Sequence, residues 1–497
     1  MDRRVAQGRS QGSGAVGRAS TQQSDVTSAR LVSIGIGLGL VAIALTVYSL
    51  TRPYRFYDHF EWQAQAFLEG KAAIRYPVEA TPDSPGNAFF QDVLPVASDD
   101  GVPRGLIPFP PLPAVVLMPF VALWGRHTDG QLIFAALGAI DVGLAWWMLG
   151  RLPIRLWVRL ATTIFLGFGT VFWYAAQIGT TWYQAHVVAV GLVILAIGIA
   201  LGADPGAALD EAPGPVERDK RESRFGSSAV GRVIAELGVD RRQFLAGLVF
   251  GLACTARLTV VFGAPFFLLV GGGATLLRRG LSSVLGAALP IGGLLIYNLV
   301  SSGHIFHPGY QYLYELEAGF YTPLHYNLAW AIEDPRYIPQ NLGIMLFGAP
   351  AIAPDVVPSA LGGGQALCVT PGAVRGLFDP ACPIALPRDT GMSVILTSPA
   401  YLLGLPALRR YARNRVVLGA ALAVVAIGLV NLMHFSQGWV QFGYRFSNDF
   451  VPWALLLVAI GLERIRSRTG IAIAIALLGL SVAVNLWGVV WGNALGW

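Results

Sequence analysis

The chain predicts an all-α polytopic membrane protein with about eleven transmembrane helices, counted from apolar stretches of about 20 residues, and two large extracytoplasmic loops carrying interfacial helices. Three observations predict it. Of 497 residues, 54% are hydrophobic and 13% charged, against roughly a quarter charged in an average soluble domain. Apolar stretches long enough to cross ~30 Å of hydrocarbon as helices recur from Leu31 onward, and a helix satisfies its own backbone hydrogen bonds there. The basic residues fall in short clusters between those stretches, with no continuous stripe. The formal charge of +6 therefore reads as topology determinants under the positive-inside rule, with a membrane as partner and no nucleic acid.

Residues 1–30 are rich in Arg, Gln, Ser and Gly without apolar periodicity, which predicts a disordered cytoplasmic tail ahead of a transmembrane domain over 31–497. Leu31–Leu50 is too long for a signal h-region and reads as a retained anchor. The basic clusters are Arg3 to Arg30, Arg151/Arg155/Arg159, the stretch 204–242, Arg278/Arg279, Arg409/Arg410/Arg413/Arg415 and Arg464/Arg466/Arg468. If all face the cytoplasm, neighbouring clusters must be separated by an even number of crossings. The anchor leads outward, so 51–129 is a first outer loop. Within it Leu106–Trp124 is apolar but carries Pro108, Pro110, Pro111, Pro113 and Pro119, which makes a poor spanning helix; Gln131–Gly150 is the better return.

Crossings near 158–176 and 184–202 follow, then the cytoplasmic loop 204–242. The next apolar residues are interrupted by Thr255-Ala256-Arg257, which reads as two short helices meeting at a polar apex. An Arg at membrane depth needs a partner or water. A span near 281–300 leads to the second outer loop, 301–391. Spans near 392–408, 416–434, 449–463 and 470–490 close the chain. No internal repeat is visible, which weakens an inverted-repeat transporter. Cys368 and Cys382 flank a Gly/Pro-rich segment of the second outer loop; in an oxidising compartment they pair as a disulfide, otherwise they are unrelated thiols.

Both outer loops are dense in aromatic and ionisable residues. Asp58 follows the first span closely and is held near the headgroup plane, where a carboxylate can accept a proton from an incoming hydroxyl. It can equally be the N-cap of the next helix. From Asp58 to Gly70 the apolar residues Phe60, Ala64, Phe67 and Leu68 share one helical face, as in an amphipathic helix lying along the interface. Glu61, one turn on, is expected to face solvent. In the second loop His304 and His307 could bind a metal or an acceptor, or be ordinary loop histidines. Tyr310, Tyr312 and Tyr314 alternate as in a strand, yet tyrosine is also common at any membrane interface. Arg336 stands beside Asp334 and could be paired with it. Asp141, inside the second span, should face the bundle interior.

An acidic residue after the first span followed by an interfacial helix resembles the GT-C class of polyprenyl-phosphate-dependent membrane glycosyltransferases, which includes protein O-mannosyltransferases and aminoarabinose transferases. Phe109-Pro110-Pro111-Leu112 with the apolar stretch to Trp124-Gly125 looks like that class's Pro-Pro-Leu interfacial helix. Ala253-Cys254-Thr255-Ala256-Arg257 is similar to its broken hairpin with a basic apex. Tyr444-Arg445-Phe446 through Pro452 resembles the Arg-Tyr-x-x-x-Phe-x-Pro type of segment in bacterial members.

The resemblance implies a plasma-membrane enzyme with an extracytoplasmic active face. It implies inverting transfer of a sugar from a polyprenyl-phosphate donor to a hydroxyl of a lipid, glycan or protein acceptor, with no cofactor and Asp58 as general base. Arg257, Arg336 and Arg445 are then the donor-phosphate cations. His59 beside Asp58 leaves a divalent metal open, and His59, Glu61, His304 and His307 are auxiliary candidates. The alternative is a transporter or lipid-linked substrate flippase, which accounts for the spans and Arg257 but not for two long aromatic outer loops.

Overall fold

A computed structural model describes residues 13–53, 57–82, 86–204, 238–317, 327, 329–359, 363–438 and 440–497. Helix α1 runs Ser13–Thr51. It thus begins well before the apolar stretch, and residues 13–30, expected to lack order, carry helical backbone. No proline interrupts the segment, so once the anchor is helical nothing stops the helix from propagating upstream. Residues 1–12 of the expected tail lie outside the described residues.

The first outer loop builds the short helices α2 (His59–Leu68) and α3 (Leu112–Trp124), which pack on each other. At 13 residues, α3 reaches about 20 Å, too short to cross the hydrocarbon. Its outward apolar residues Val115, Leu123 and Trp124 remain exposed, which suits a helix set in an interface. Between α2 and α3 the chain forms a small antiparallel sheet, β1 (Ile74–Arg75), β2 (Leu94–Val96) and β3 (Arg104–Leu106), in the order β1-β3-β2. Strands this short show no period-2 signal, because two or three residues do not define one.

The bundle continues with α4 (Gly130–Leu149), the bent pair α5 (Leu156–Gly169) and α6 (Phe172–Ile178), and α7 (Thr181–Ala203). The 53° bend falls at Thr170, whose hydroxyl donates to the Leu166 carbonyl and accepts from the Phe172 amide, ending one helix and starting the next. After the described residues resume, α8 (Arg241–Cys254) stops at Thr255 and a 3₁₀ turn (Leu258–Gly263) with α9 (Pro265–Leu269) runs back. The expected hairpin with Arg257 at its apex is thus present. Then come α10 (Leu276–Ser302), α11 (Gly309–Glu317), α12 (Ile338–Leu342), α13 (Val394–Thr397), α14 (Leu405–Tyr411), α15 (Arg415–Met433), α16 (Val451–Arg464) and α17 (Arg468–Ala494).

Among the described residues six helices are long and apolar enough to span a membrane, α1, α4, α7, α10, α15 and α17, or seven if the bent α5–α6 pair is one crossing. That makes the chain an all-α membrane protein. The other expected crossings correspond to shorter pieces: α8, the Leu258–Leu269 arm, the Pro399–Tyr411 arm and α16. The centre of the bundle is aromatic, with Phe134, Phe165, Phe172 and Trp453 fully buried.

The helix ends sort into two faces. On one, Arg155 binds the Glu463 carboxylate at 3.1 Å and Arg415 binds Asp204 at 3.1 Å. The start of α5 thus meets the end of α16, and the start of α15 meets the end of α7. On the other, Arg52 pairs with Asp129, and Asn493 donates to the Thr51 carbonyl at 2.7 Å. Asp141 is buried inside the bundle as expected, against Gly191 of α7. Cys368 and Cys382 form the disulfide that the sequence left open.

Candidate active site

At the second face, strands, loops and helix ends enclose one cavity of about 720 Å³. The first outer loop contributes Tyr57, Tyr76, Phe90 and Asp92, and the start of α7 contributes Trp182 and Tyr183. The hairpin apex supplies Arg257 and Leu258, α11 supplies Tyr310 and Leu316, and the α15–α16 connection supplies His434, Arg445 and Phe446. Leu258 and Leu316 line it while remaining exposed, so the cavity opens beside apolar surface. Tyr57 and Trp182 stand with ring centroids 4.9 Å apart, an aromatic wall of the kind that takes the flat face of a ligand.

Asp92 is the carboxylate in this cavity. It is buried, accepts from the Trp182 indole N–H, and sits among Tyr57, Tyr76 and Tyr310. Burial pushes its carboxyl up to about 6, against the opposing pull of the Trp182 hydrogen bond and the Arg445 charge. Such a group is ionised at neutral pH yet basic enough to accept a proton.

Two guanidinium groups face the same space in different states. Arg257 is held by the fully buried Asp449, with Nε to Oδ1 at 3.1 Å and Nη2 to Oδ2 at 2.8 Å. Asp449 also accepts from the Thr259 hydroxyl at 2.7 Å and lies 3.0 Å from the His186 ring. Arg445 has no ion-pair partner among the described residues, and its buried Nε has no hydrogen-bond partner there. Its guanidinium lies against Gly438, where an added Cβ would stand 2.6 Å from Cζ; the φ of +76° at Gly438 adds a second reason for glycine.

The residues that the sequence singled out divide. Arg257 and Arg445 line the cavity; Asp58, His59, Glu61, Arg336, His304 and His307 do not. Asp58 occupies the N-cap position of α2 without a capping hydrogen bond, and its carboxylate instead takes Arg126 Nη2 at 2.6 Å. Arg126 in turn stacks 3.8 Å over the Trp62 ring. Burial, opposed by the charge of Arg126, raises the Asp58 carboxyl. Glu61, expected in solvent, is buried: its Oε1 lies 3.3 Å from Gln184 Nε2, and an added Cβ at Gly130 would meet that oxygen. Burial first, then Asp58, pushes the Glu61 carboxyl up to about 8. The contacts of His59 and Glu61 with the starts of α4 and α7, invisible in a helical wheel, make this side of α2 an inward one.

No protein-family model, no curated protein and no solved structure matches the chain.

His59 is buried with its ring stacked 3.8 Å on Phe90 and Nδ1 2.9 Å from the Thr181 hydroxyl. It is thus turned away from Asp58 and shares no ligand position with it. Among the described residues no group of three or more His, Cys, Asp or Glu is gathered as metal ligands. Arg336 is bidentate to Asp334, at 2.8 and 2.7 Å, and stacks on Trp330. His304 is exposed on the Ser302 carbonyl, and His307 accepts from the Gly309 amide at 3.1 Å. Tyr310, Tyr312 and Tyr314 lie on helix α11, not on a strand. Tyr310 and Tyr312 line the cavity, while Tyr314, one turn further along the face of Tyr310, is buried against Tyr337.

Sequence reasoning passed over Asp92 and His434. Asp92 stands in a Pro/Gly-rich tract without periodicity, and the weak signal was its place among aromatic residues, Phe89-Phe90-Gln91-Asp92. His434 is a single histidine at the end of an apolar span, and the sequence does not show that its Nδ1 meets Glu333 Oε1 at 2.8 Å.

Proposed function

We propose that the protein is a multi-pass membrane glycosyltransferase that moves a sugar from a polyprenyl-phosphate donor to an acceptor hydroxyl, with inversion, on the extracytoplasmic face of the plasma membrane. The observation that carries this reading is the meeting, in one cavity opening beside apolar surface, of a buried carboxylate and two arginines. Asp92 takes the base role that the position after the first span had suggested for Asp58, because Asp92 lines the cavity and Asp58 is occupied by Arg126.

In this reading the acceptor hydroxyl passes its proton to Asp92 while its oxygen attacks the anomeric carbon. The bond from that carbon to the phosphate oxygen breaks, and the electron pair leaves with the phosphate. Arg445, uncommitted, binds the phosphate; Arg257, locked by Asp449, offers it a fixed charge that costs no reorganisation. Tyr57 and Trp182 receive the sugar face beside Asp92. Leu258 and Leu316 mark the side from which a prenyl chain arrives. The same reading counts the four shorter helical pieces as crossings, which brings both long loops to the outer face.

The test is sugar transfer by the full-length protein in proteoliposomes supplied with a panel of polyprenyl-phosphate sugars. Asp92→Asn is expected to lower the rate by about 10²–10⁴-fold with insertion unchanged, while Asp58→Asn chiefly lowers thermal stability. Wild-type transfer by Asp92→Asn would overturn the assignment.

A further inference from the structure

His434 is the one imidazole that lines the cavity among the described residues, and it is not alone there. The Phe446 ring carries Arg257 Cζ at 5.3 Å and Arg445 Cζ at 5.4 Å, and its centroid lies 6.2 Å from that of His434. Two guanidinium groups and an imidazole are thus gathered around one ring. On its far side His434 Nδ1 lies 2.8 Å from Glu333 Oε1. A carboxylate oxygen can only accept, so Nδ1 carries the hydrogen and Nε2 is the nitrogen left for a ligand. A carboxylate on one ring N–H also fixes the tautomer and the orientation of the imidazole, so that Nε2 is aimed by the same contact.

The backbone holds the pair in place. Glu333 and His434 form an antiparallel bridge, Phe435 donates to the Ile332 carbonyl at 2.9 Å, and the Asn341 amide donates to the Leu432 and His434 carbonyls at 2.9 and 2.8 Å. The second outer loop is thereby stitched to the end of α15 at the residue that enters the cavity. Tyr310, in the same space, is pushed up to about 12 by burial, with Arg257, Glu333 and Asp92 all acting on it.

The chemistry of the transfer explains what such a dyad is for. A sugar–phosphate–prenyl donor is a phosphodiester with one negative charge. The product is a phosphomonoester, whose second ionisation near 6 gives it up to two. Charge therefore accumulates on the phosphate as the bond breaks, and Arg445 alone meets the first charge with an unbalanced guanidinium, since Arg257 is balanced by Asp449.

We propose that His434, backed by Glu333, is a further catalytic residue that donates a proton from Nε2 to the departing phosphate, so that the cavity discriminates a prenyl phosphomonoester from a phosphodiester. This rests on the glycosyl-transfer reading. The balance closes: the acceptor proton goes to Asp92, the bonding pair to the phosphate oxygen, and the His434 proton to that oxygen. Water then returns a proton to His434 and removes one from Asp92.

The experiment measures binding of farnesyl phosphate and of its methyl diester to the full-length protein in nanodiscs, followed by tryptophan fluorescence, alongside transfer kinetics. Wild type is expected to bind the monoester at least tenfold more tightly. His434→Gln should abolish the preference while keeping diester affinity, and should lower kcat by about 10²-fold at unchanged donor KM. Glu333→Gln, which keeps an acceptor on Nδ1 but removes the charge, should lose part of the preference. A preference unchanged in His434→Gln overturns the proposal, as does wild type binding both ligands equally, and neither result touches the role of Asp92. Failure of wild type to bind either ligand overturns the prenyl-phosphate reading and the His434 role with it.

Discussion

Replacing Trp182 with Phe should shift the acid limb of the transfer reaction upward. As a base Asp92 must be ionised, and its carboxyl is raised to about 6. The active form is therefore present above that pH and lost as pH falls through it. At pH 7 roughly ten-elevenths of the sites are ionised and at pH 5 roughly one-eleventh, a tenfold fall in rate with unit slope. The Trp182 indole donates to the Asp92 carboxylate and so favours the ionised form. A hydrogen bond to a charged group contributes about 1.5–3 kcal/mol. Its loss corresponds to an upward move of about one to two pH units at about 1.4 kcal/mol per unit. Phe keeps the aromatic wall against Tyr57, so the effect on substrate stacking is small. The assay is initial rate against pH, from 4.5 to 8.5 in units chosen for the buffers, in proteoliposomes with saturating donor. An acid limb that stays in place or moves downward in Trp182→Phe would refute the assignment of that limb to Asp92.

Arg445→Gln should raise the donor KM by about 10–100-fold, the loss of one charge-assisted bond, with little change in thermal midpoint because Arg445 carries no ion pair among the described residues. Asp449→Asn should destabilise the fold by about 3–5 kcal/mol, as breaking a buried pair does, since Arg257 loses its anion; combining it with Arg257→Gln should recover part of the loss in thermal-shift measurements. Glu61 keeps its proton up to about 8 in the fold against an ordinary 4.5, so its burial costs stability progressively as pH rises between those values and no further above them. Glu61→Gln should remove that decline and raise the thermal midpoint above pH 7; an identical pH profile would refute the assignment. Single cysteines at Phe378 and Ser467 should be labelled from opposite sides of intact membranes, and labelling of both from one side would sink the topology.

The sequence by itself determined the medium. Hydropathy and the spacing of basic clusters are local properties, so they could place α1, α4, α7, α10, α15 and α17 and group their charged ends without any knowledge of packing. They could also locate the hairpin apex at Arg257, because a polar interruption in an apolar run has few other meanings. Tertiary structure decided which side chains share a cavity. Asp58 reads from sequence as a base or an N-cap because nothing local shows Arg126, 68 residues away, arriving at its carboxylate. Asp92 acquires its partner Trp182 across 90 residues, and His434 acquires Glu333 across 101. The reason is physical: a span is specified by the transfer free energy of its own residues, whereas the charge, exposure and basicity of a loop side chain depend on the groups that folding brings against it.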